Sequence, residues 1–143
     1  MPRKKMWVRD YEKFILSKRS EQFMFGKHDC CITACDMILA ITGVDPAAKF
    51  RNQYGIDNPI KALRLVKEYG DVDGIAEKVC AEHNWAEIPP AYANRGDVVC
   101  LTAGGDRKAL GWVDLDGVCI LAPAMIGLQE RNRSDAIRAW RIE

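Results

Sequence analysis

The chain has 143 residues, of which 48% are apolar and 29% charged, and this is the size and composition of one compact folded domain. The composition excludes a disordered or low-complexity protein, and a formal net charge of only +1 provides no field to attract nucleic acid. No run of about 18 apolar residues is present, so we predict no membrane span. The basic start, with Arg3, Lys4 and Lys5, lacks the apolar stretch of a secretory signal. We expect a single domain over 1–143, with 1–6 as a flexible, solvated tail.

Six cysteines could in principle pair into three disulfides. Cys30, Cys31 and Cys35 fall on one predicted helix, however, and Cys100 and Cys119 lie inside apolar runs, where a reduced cysteine packs as a small hydrophobic residue. We therefore expect free thiols, and synthesis in the reducing environment of the cytoplasm.

The first half of the chain has the periodicity of helices. Apolar residues one turn apart predict an amphipathic first helix: Trp7, Tyr11, Phe14 and Ile15. The next helix, CCITACDMILAIT, is apolar on nearly every face, which predicts that it is buried; Asp29 is suited to cap its start and Gly43 its end. Further helices are expected from Pro59 to Gly70 and from Ile75 to about Asn84.

After Gly96 the spacing of apolar residues changes from a helical period to that of strands. The runs DVVCLT, ALGWV and VCIL are separated by turn-forming AGGD and DLDG, and IRAWRI alternates apolar and basic residues in the manner of an edge strand. Helices followed by strands predict an α+β domain, with the buried central helix packed on a small C-terminal antiparallel sheet.

Cys30 is the strongest candidate for a functional residue. It follows the capping residue Asp29 and occupies the first turn of the buried helix, where free N–H groups and the helix dipole stabilise a thiolate. This is a common way to build a cysteine nucleophile. The alternative is that Cys30 merely fills space, as we expect for Cys31 and Cys35.

A nucleophile needs a base, and the chain has two histidines, His28 and His83. Either is a candidate base, and either could instead be a hydrogen-bonded residue at the edge of the core. Together with the nearby cysteines they could also supply zinc ligands, but no pair of C-x2-C motifs is present. We predict no metal and no cofactor.

The segment FMFGKHDCCITACDMILAITG resembles the nucleophile segment of the NlpC/P60 superfamily of small papain-like cysteine peptidases. ANRGDVVCL resembles that superfamily's Pro-Gly-Asp-Leu-Val strand, and ALGWVDLDGVCILAP resembles its His-Val-Gly-Ile-Tyr hairpin and the following strand. From Trp7 to Ile142 the chain is also similar to a family of small phage and prophage proteins of unknown function. The order of the motifs carries the resemblance, because each motif alone is weak.

The resemblance implies a papain-like fold with Cys30 at the position of the nucleophile. It puts the general base at Ala109 and the polar residue that orients the base near Leu121. Both positions are hydrocarbon, so the resemblance implies a degenerate peptidase site.

The leading hypothesis is a phage- or prophage-encoded domain that is associated with the tail or acts in tail assembly, with phage tail proteins as partners. It rests on analogy of fold. One alternative is an active cysteine hydrolase that cleaves cell-wall peptides through Cys30, with His28 or His83 as base. Another is a cytosolic module that binds a host protein. Neither nucleic acid nor a membrane is an expected partner in any of them.

Overall fold

The structure is a computed structural model that describes residues 2–143, and of Asn52 only the backbone. The helices are α1 (Trp7–Lys18), α2 (Cys30–Thr42), α3 (Arg51–Tyr54), α4 (Pro59–Glu68) and α5 (Val72–Glu82). The strands are β1 (Glu87–Ile88), β2 (Val98–Thr102), β3 (Lys108–Val113), β4 (Ile120–Pro123), β5 (Leu128–Arg131) and β6 (Ala136–Trp140). The predicted α+β class is confirmed. None of the described helices is both long and apolar enough to cross a membrane.

The strands form one antiparallel sheet in the order β1-β6-β2-β3-β4-β5. The prediction that the last strand lies at an edge is wrong, because β6 pairs with β2 on one side and with β1 on the other. Strand β1 has only two residues and no strand signal of its own, so the sequence did not reveal it. The alternation in β6 has another cause: Arg138 forms ion pairs with Asp73 and Glu87.

Helix α2 is the centre of the domain, as predicted. The Asp29 side chain accepts a hydrogen bond from the Ile32 backbone at its start, and Gly43 ends it with a left-handed φ of 79°. It packs against β3 and β4 of the sheet and against α1 and α5. Because α2 is covered by neighbours along both sides, its sequence is apolar on nearly every face.

Helix α1 uses the predicted apolar face, with Tyr11, Phe14 and Ile15 buried. Phe14 packs edge-on against Trp112, with ring centroids 5.7 Å apart. The Tyr11 hydroxyl donates to the Val113 carbonyl. These contacts fix α1 against β3, so the first helix closes the same core that surrounds α2.

The prediction of a solvated N-terminal tail is wrong at Arg3. Its guanidinium pairs with the buried carboxylate of Asp97 at 3.0 Å and donates to the carbonyls of Arg95 and Ile142. Lys5, by contrast, is exposed as expected. The N-terminal sequence alone does not reveal this contact, because Asp97, the acceptor that pairs with Arg3, lies far along the chain.

Candidate functional site

The Asp29 carboxylate fixes the loop that leads into Cys30. One oxygen accepts from the Ile32 N–H at 2.8 Å and the other from the Gly26 N–H at 2.6 Å. The Tyr54 hydroxyl donates to the same carboxylate, and burial raises the pKa of Asp29 above its ordinary value. With its oxygens committed to these donors, Asp29 acts as a helix cap, the role that the sequence predicts.

The loop before α2 passes very close to the segment that precedes α4. A Cβ atom at Gly26 would lie 1.8 Å from the Gly55 carbonyl oxygen, and Gly26 has a φ of 84°. Next to it, the Asp57 N–H donates to the Phe25 carbonyl at 2.7 Å. Glycine is required here, because any side chain would push the loop away and move Cys30 with it.

The Cys30 thiol is free, half-buried and in an environment that favours the thiolate. A hydrogen bond from the Cys31 thiol lowers the pKa of Cys30 below its ordinary value; burial opposes this, and the Leu110 backbone acts in the same direction as Cys31. The negative charges of Asp29 and Asp71 weaken the effect. The same hydrogen bond raises the pKa of Cys31 well above its ordinary value. Cys30 is thus the thiol of the pair that ionises first.

In the strand beside Cys30, the residue that faces the core around α2 is a leucine. In β3, Leu110 belongs to the core cluster that contains α2, whereas Ala109 is opposite Leu101, which belongs to the cluster on the other face of the sheet. Ala109, the base position implied by the resemblance, therefore faces away from Cys30. Leu121, the implied orienting position, does face the core that contains α2. On this face the sheet offers Cys30 hydrocarbon and a backbone group, not a base.

His28 is fully buried just before α2, but its ring is directed elsewhere. Its Nε2 lies 2.8 Å from the Gly127 carbonyl oxygen, in the turn between β4 and β5. Its Nδ1 is buried without a hydrogen-bond partner among the described residues. This geometry gives His28 a role in holding that turn against the start of α2.

His83 lies at the C-terminal end of α5. Its Nδ1 is 2.9 Å from the Val79 carbonyl oxygen, and its ring stacks on Trp85 with centroids 4.6 Å apart. Neither of the two histidine hydrogen bonds involves Cys30. Within residues 2–143, no group of three or more His, Cys, Asp or Glu side chains is arranged to hold a metal ion.

The family described as Domain of unknown function (DUF6950) matches residues 2–142, nearly the whole chain. The chain belongs to this family. Comparisons with curated proteins and with solved structures find no match. Because the family's description carries no activity, the chemistry of the site has to be inferred from its own residues.

A polar cleft of about 620 Å³ lies between the start of α5 and the β2–β3 hairpin. Its lining includes Asp71, whose charge acts on Cys30, and an ion-pair cluster on Asp73. Lys108 and Arg138 lie 3.3 and 3.1 Å from the Asp73 carboxylate. The charge of Asp73 is thus compensated within the protein, and the cluster gives the cleft the polarity of a binding surface.

Sequence reasoning missed the other residues around the sulfur. Tyr54 lies in a four-residue helix, too short to produce a periodic signal. Asp71 caps α5 within DVDG, which lies between two predicted helices, and its capping position was the available signal. For Leu110, strand alternation shows that it and Ala109 face opposite sides, but not which side faces α2.

Proposed function

We propose that this chain is a phage- or prophage-encoded papain-like domain, related to the NlpC/P60 peptidases, which serves in the tail or its assembly without hydrolysing peptides. The order of the motifs along the sequence supports the relationship. So does the architecture, in which a cysteine in the first turn of a buried helix lies against an antiparallel sheet. The phage setting rests on the sequence resemblance.

The observation that carries the loss of activity is the surroundings of the Cys30 sulfur. On the side of the sheet, the sulfur lies next to the backbone of Leu110 in β3. In β4, the side chain that faces the same core is Leu121. The rings of His28 and His83 are bonded to backbone carbonyls. In a cysteine peptidase the base takes the thiol proton and later protonates the leaving amine, so both half-reactions depend on it.

General acid–base assistance contributes about 10²–10⁴-fold to such reactions. Stabilising the thiolate does not replace it, because the leaving amine still needs a proton. The hydrogen bond from Cys31 and the helix N-terminus thus supply an ionisable thiol but no proton donor for the second step.

A second candidate function is an active cysteine hydrolase, which the lowered pKa of Cys30 favours. It requires a ring nitrogen of His28 or His83 to come within hydrogen-bond distance of the sulfur. For His28 this means a shift of a fully buried ring that brings its unpartnered Nδ1 to the thiol. The two candidates therefore differ in whether peptide turnover depends on a histidine.

Hydrolysis of cell-wall stem peptides decides between them. Wild type, Cys30→Ser and the matched control Cys35→Ser, which alters a buried cysteine on the same helix, are assayed together. We expect no turnover above background from any of the three. Hydrolysis by wild type and Cys35→Ser that is lost in Cys30→Ser would overturn the proposal, and alanine substitution of each histidine would then identify the base.

The tail role is tested separately, in the phage or prophage that encodes the chain. We expect deletion of the gene to reduce the yield of tailed particles and Cys30→Ser to leave that yield unchanged. Mass spectrometry of purified particles and assembly intermediates should detect the chain with the tail proteins. Normal tails in the deletion strain would contradict the proposed role.

A further inference from the structure

Several large apolar side chains are exposed on the β4–β5 turn, the loop before α4 and α4 itself. Five of these side chains are between 60% and 77% exposed: Ile56, Ile60, Leu63, Met125 and Ile126. The half-buried Phe23 lies between the last two and the others, and we call these six residues the apolar strip. Contiguous exposed apolar surface of this kind commonly marks an interaction site.

Backbone contacts make the strip continuous. Gln22 pairs with Ile126, and the Phe23 N–H donates to the Met125 carbonyl at 2.8 Å. Phe23 packs edge-on against Phe25, with ring centroids 5.0 Å apart. The chain at Phe25 then contacts the loop that carries Ile56, through the hydrogen bond from Asp57 described above.

Helix α4 continues the strip with the side that faces away from the core. It buries Ala62 and Leu65, whereas Ile60 and Leu63 are on the opposite side at 69% and 60% exposure. An amphipathic helix normally puts such residues inward. Since the core contacts of α4 are already made by other residues, these two side chains are available to a partner.

Unpaired cations border this surface. Over residues 2–143, none of the following has a carboxylate within ion-pair distance: Lys27, Lys61, Arg64 and Lys67. Arg64 and Lys67 are on the outer side of α4 with Ile60 and Leu63. The nearby acidic residues are Asp57, Glu68 and Glu21, the last of which pairs with Lys18, so the border keeps an excess of positive charge.

We propose that the apolar strip is a docking surface for an acidic amphipathic helix of a partner protein. One row of apolar side chains on that helix would cover the strip, and flanking carboxylates would pair with Lys61, Arg64 and Lys67. A second copy of this chain is the wrong occupant, because two facing strips would bring these cations together. The inference deepens the proposed function, and rests on it only for the expectation that the chain acts by binding.

The first test is selection from a displayed library of short helical peptides. The peptides carry Leu at fixed positions one turn apart, and their flanking positions are randomised among Glu, Lys, Gln and Ala. Wild type should enrich peptides with Glu at the flanks. The variant Ile60→Ser/Leu63→Ser should not enrich them, and since both side chains are exposed it should melt as wild type does.

The second test measures the affinity of one enriched peptide by fluorescence anisotropy. Ile60→Ser/Leu63→Ser should weaken it by about tenfold or more. Arg64→Glu/Lys67→Glu should also weaken it and shift the preference toward flanking Lys. Val118→Ser is the matched control: it removes an apolar side chain that is 62% exposed in the turn between β3 and β4, and should leave the affinity unchanged.

Several outcomes would overturn the inference. Enrichment without an acidic bias, or equal binding by Ile60→Ser/Leu63→Ser, would show that the strip does not select such a helix. Binding to phosphatidylglycerol vesicles without peptide binding would assign the strip to a membrane surface. A dimer in sedimentation velocity that the double variant abolishes would assign it to a second copy. These measurements do not involve Cys30, so the strip and the loss of peptidase activity can fail independently.

Discussion

The guanidinium of Arg3 lies 3.0 Å from the carboxylate of Asp97, 94 positions further along the chain. Asp97 is only 1% exposed and also accepts from the N–H groups of Asn94 and Ile142, at 2.9 and 3.1 Å. Arg3 in turn donates to the Ile142 carbonyl at 2.7 Å. One buried carboxylate thus joins the start of the chain, the entry to β2 and the segment after β6.

Removing the cation from this pair should destabilise the fold. Arg3→Gln leaves the buried charge of Asp97 without its charged donor, so we expect the free energy of unfolding to fall by about 1–3 kcal/mol. Lys5→Gln is the matched control, because Lys5 is exposed. Urea unfolding of the two variants measures the difference. A loss at Arg3 no larger than at Lys5 would mean that the N-terminal segment does not contribute to stability.

The buried carboxylate of Asp29 and the half-buried carboxylate of Asp73 should respond to pH with opposite signs. Burial raises the pKa of Asp29, so its stabilising contribution is present below 3.8 and is lost as the pH rises through its folded-state pKa. Burial also acts to raise the pKa of Asp73, but hydrogen bonds from Arg138 and Lys108 outweigh it and lower that pKa. The contribution of Asp73 is therefore present above 3.8 and is lost as the pH falls through its folded-state pKa.

We therefore expect the stability differences of two asparagine variants to move in opposite directions between about pH 2 and pH 7. Relative to wild type, Asp29→Asn should gain stability as the pH rises, and Asp73→Asn should lose it. Each variant also has a pH-independent offset, so the slope of the difference is the informative quantity. Urea unfolding across this pH series gives both slopes. Slopes of the same sign would contradict the assignment of burial to one carboxylate and ion pairing to the other.

Local signals were sufficient for the parts of the fold that chain neighbours determine. Asp29 and Gly43 delimit α2, and the apolar periodicity of α1 selects its buried face. Strands β2, β3 and β4 follow from short apolar runs between glycine turns, as predicted. Strand β5 was missed because LQER has no apolar alternation, and its position depends on pairing with β4.

The residues of the candidate site divide in the same way, into those that depend on chain neighbours and those that depend on distant elements. The capping role of Asp29 and the position of Cys30 in the first turn of α2 were predictable, because both depend on adjacent residues. The groups that shift the pKa of the thiol from distant elements were not predictable, namely the Leu110 backbone and the Asp71 carboxylate. Arg3 shows the same limit, because a cation is buried only where a distant carboxylate receives it.

Trp140 should be among the most costly side chains to remove. The sequence places it in the last strand, and in the structure it is 1% exposed in β6, opposite Val98 in β2 and Glu87 in β1. By analogy with other large-to-small core changes, Trp140→Ala should cost about 3–5 kcal/mol. Trp140→Phe should cost less, because the buried indole N–H has no hydrogen-bond partner among the described residues.

The control for this change is Tyr92→Ala, since Tyr92 is 69% exposed. Thermal melting and soluble yield should be near wild type for the control and strongly reduced for Trp140→Ala. A stop codon before Ala139 should leave the protein insoluble, because it removes the pairing of β6 with β1 and half of its pairing with β2. Near-normal melting of Trp140→Ala would contradict the burial of Trp140 between β1 and β2.

The last prediction concerns the order in which the thiols react. Cys30 should be alkylated first near neutral pH, because it is half-buried and has a lowered pKa. Cys100 should stay unmodified, since it is fully buried and burial raises its pKa to about 12. We expected the same inertness for Cys119 from its apolar run, but it lies half-buried just before β4. A hydrogen bond to Asp116 raises the pKa of Cys119, so it should react second and slowly.

A substitution of Cys31, the donor of the hydrogen bond, tests what lowers the pKa of Cys30. Cys31→Ala removes the thiol hydrogen bond that lowers the pKa of Cys30, so alkylation of Cys30 near neutral pH should slow by about threefold or more. Cys35→Ala is the matched control, because it removes a buried thiol one turn further along α2 and should leave the rate unchanged. Timed alkylation followed by mass spectrometry measures each site separately. Unchanged alkylation of Cys30 in Cys31→Ala would assign its reactivity to the helix N-terminus and Leu110 alone, and modification of Cys119 ahead of Cys30 would contradict the proposed ionisation order.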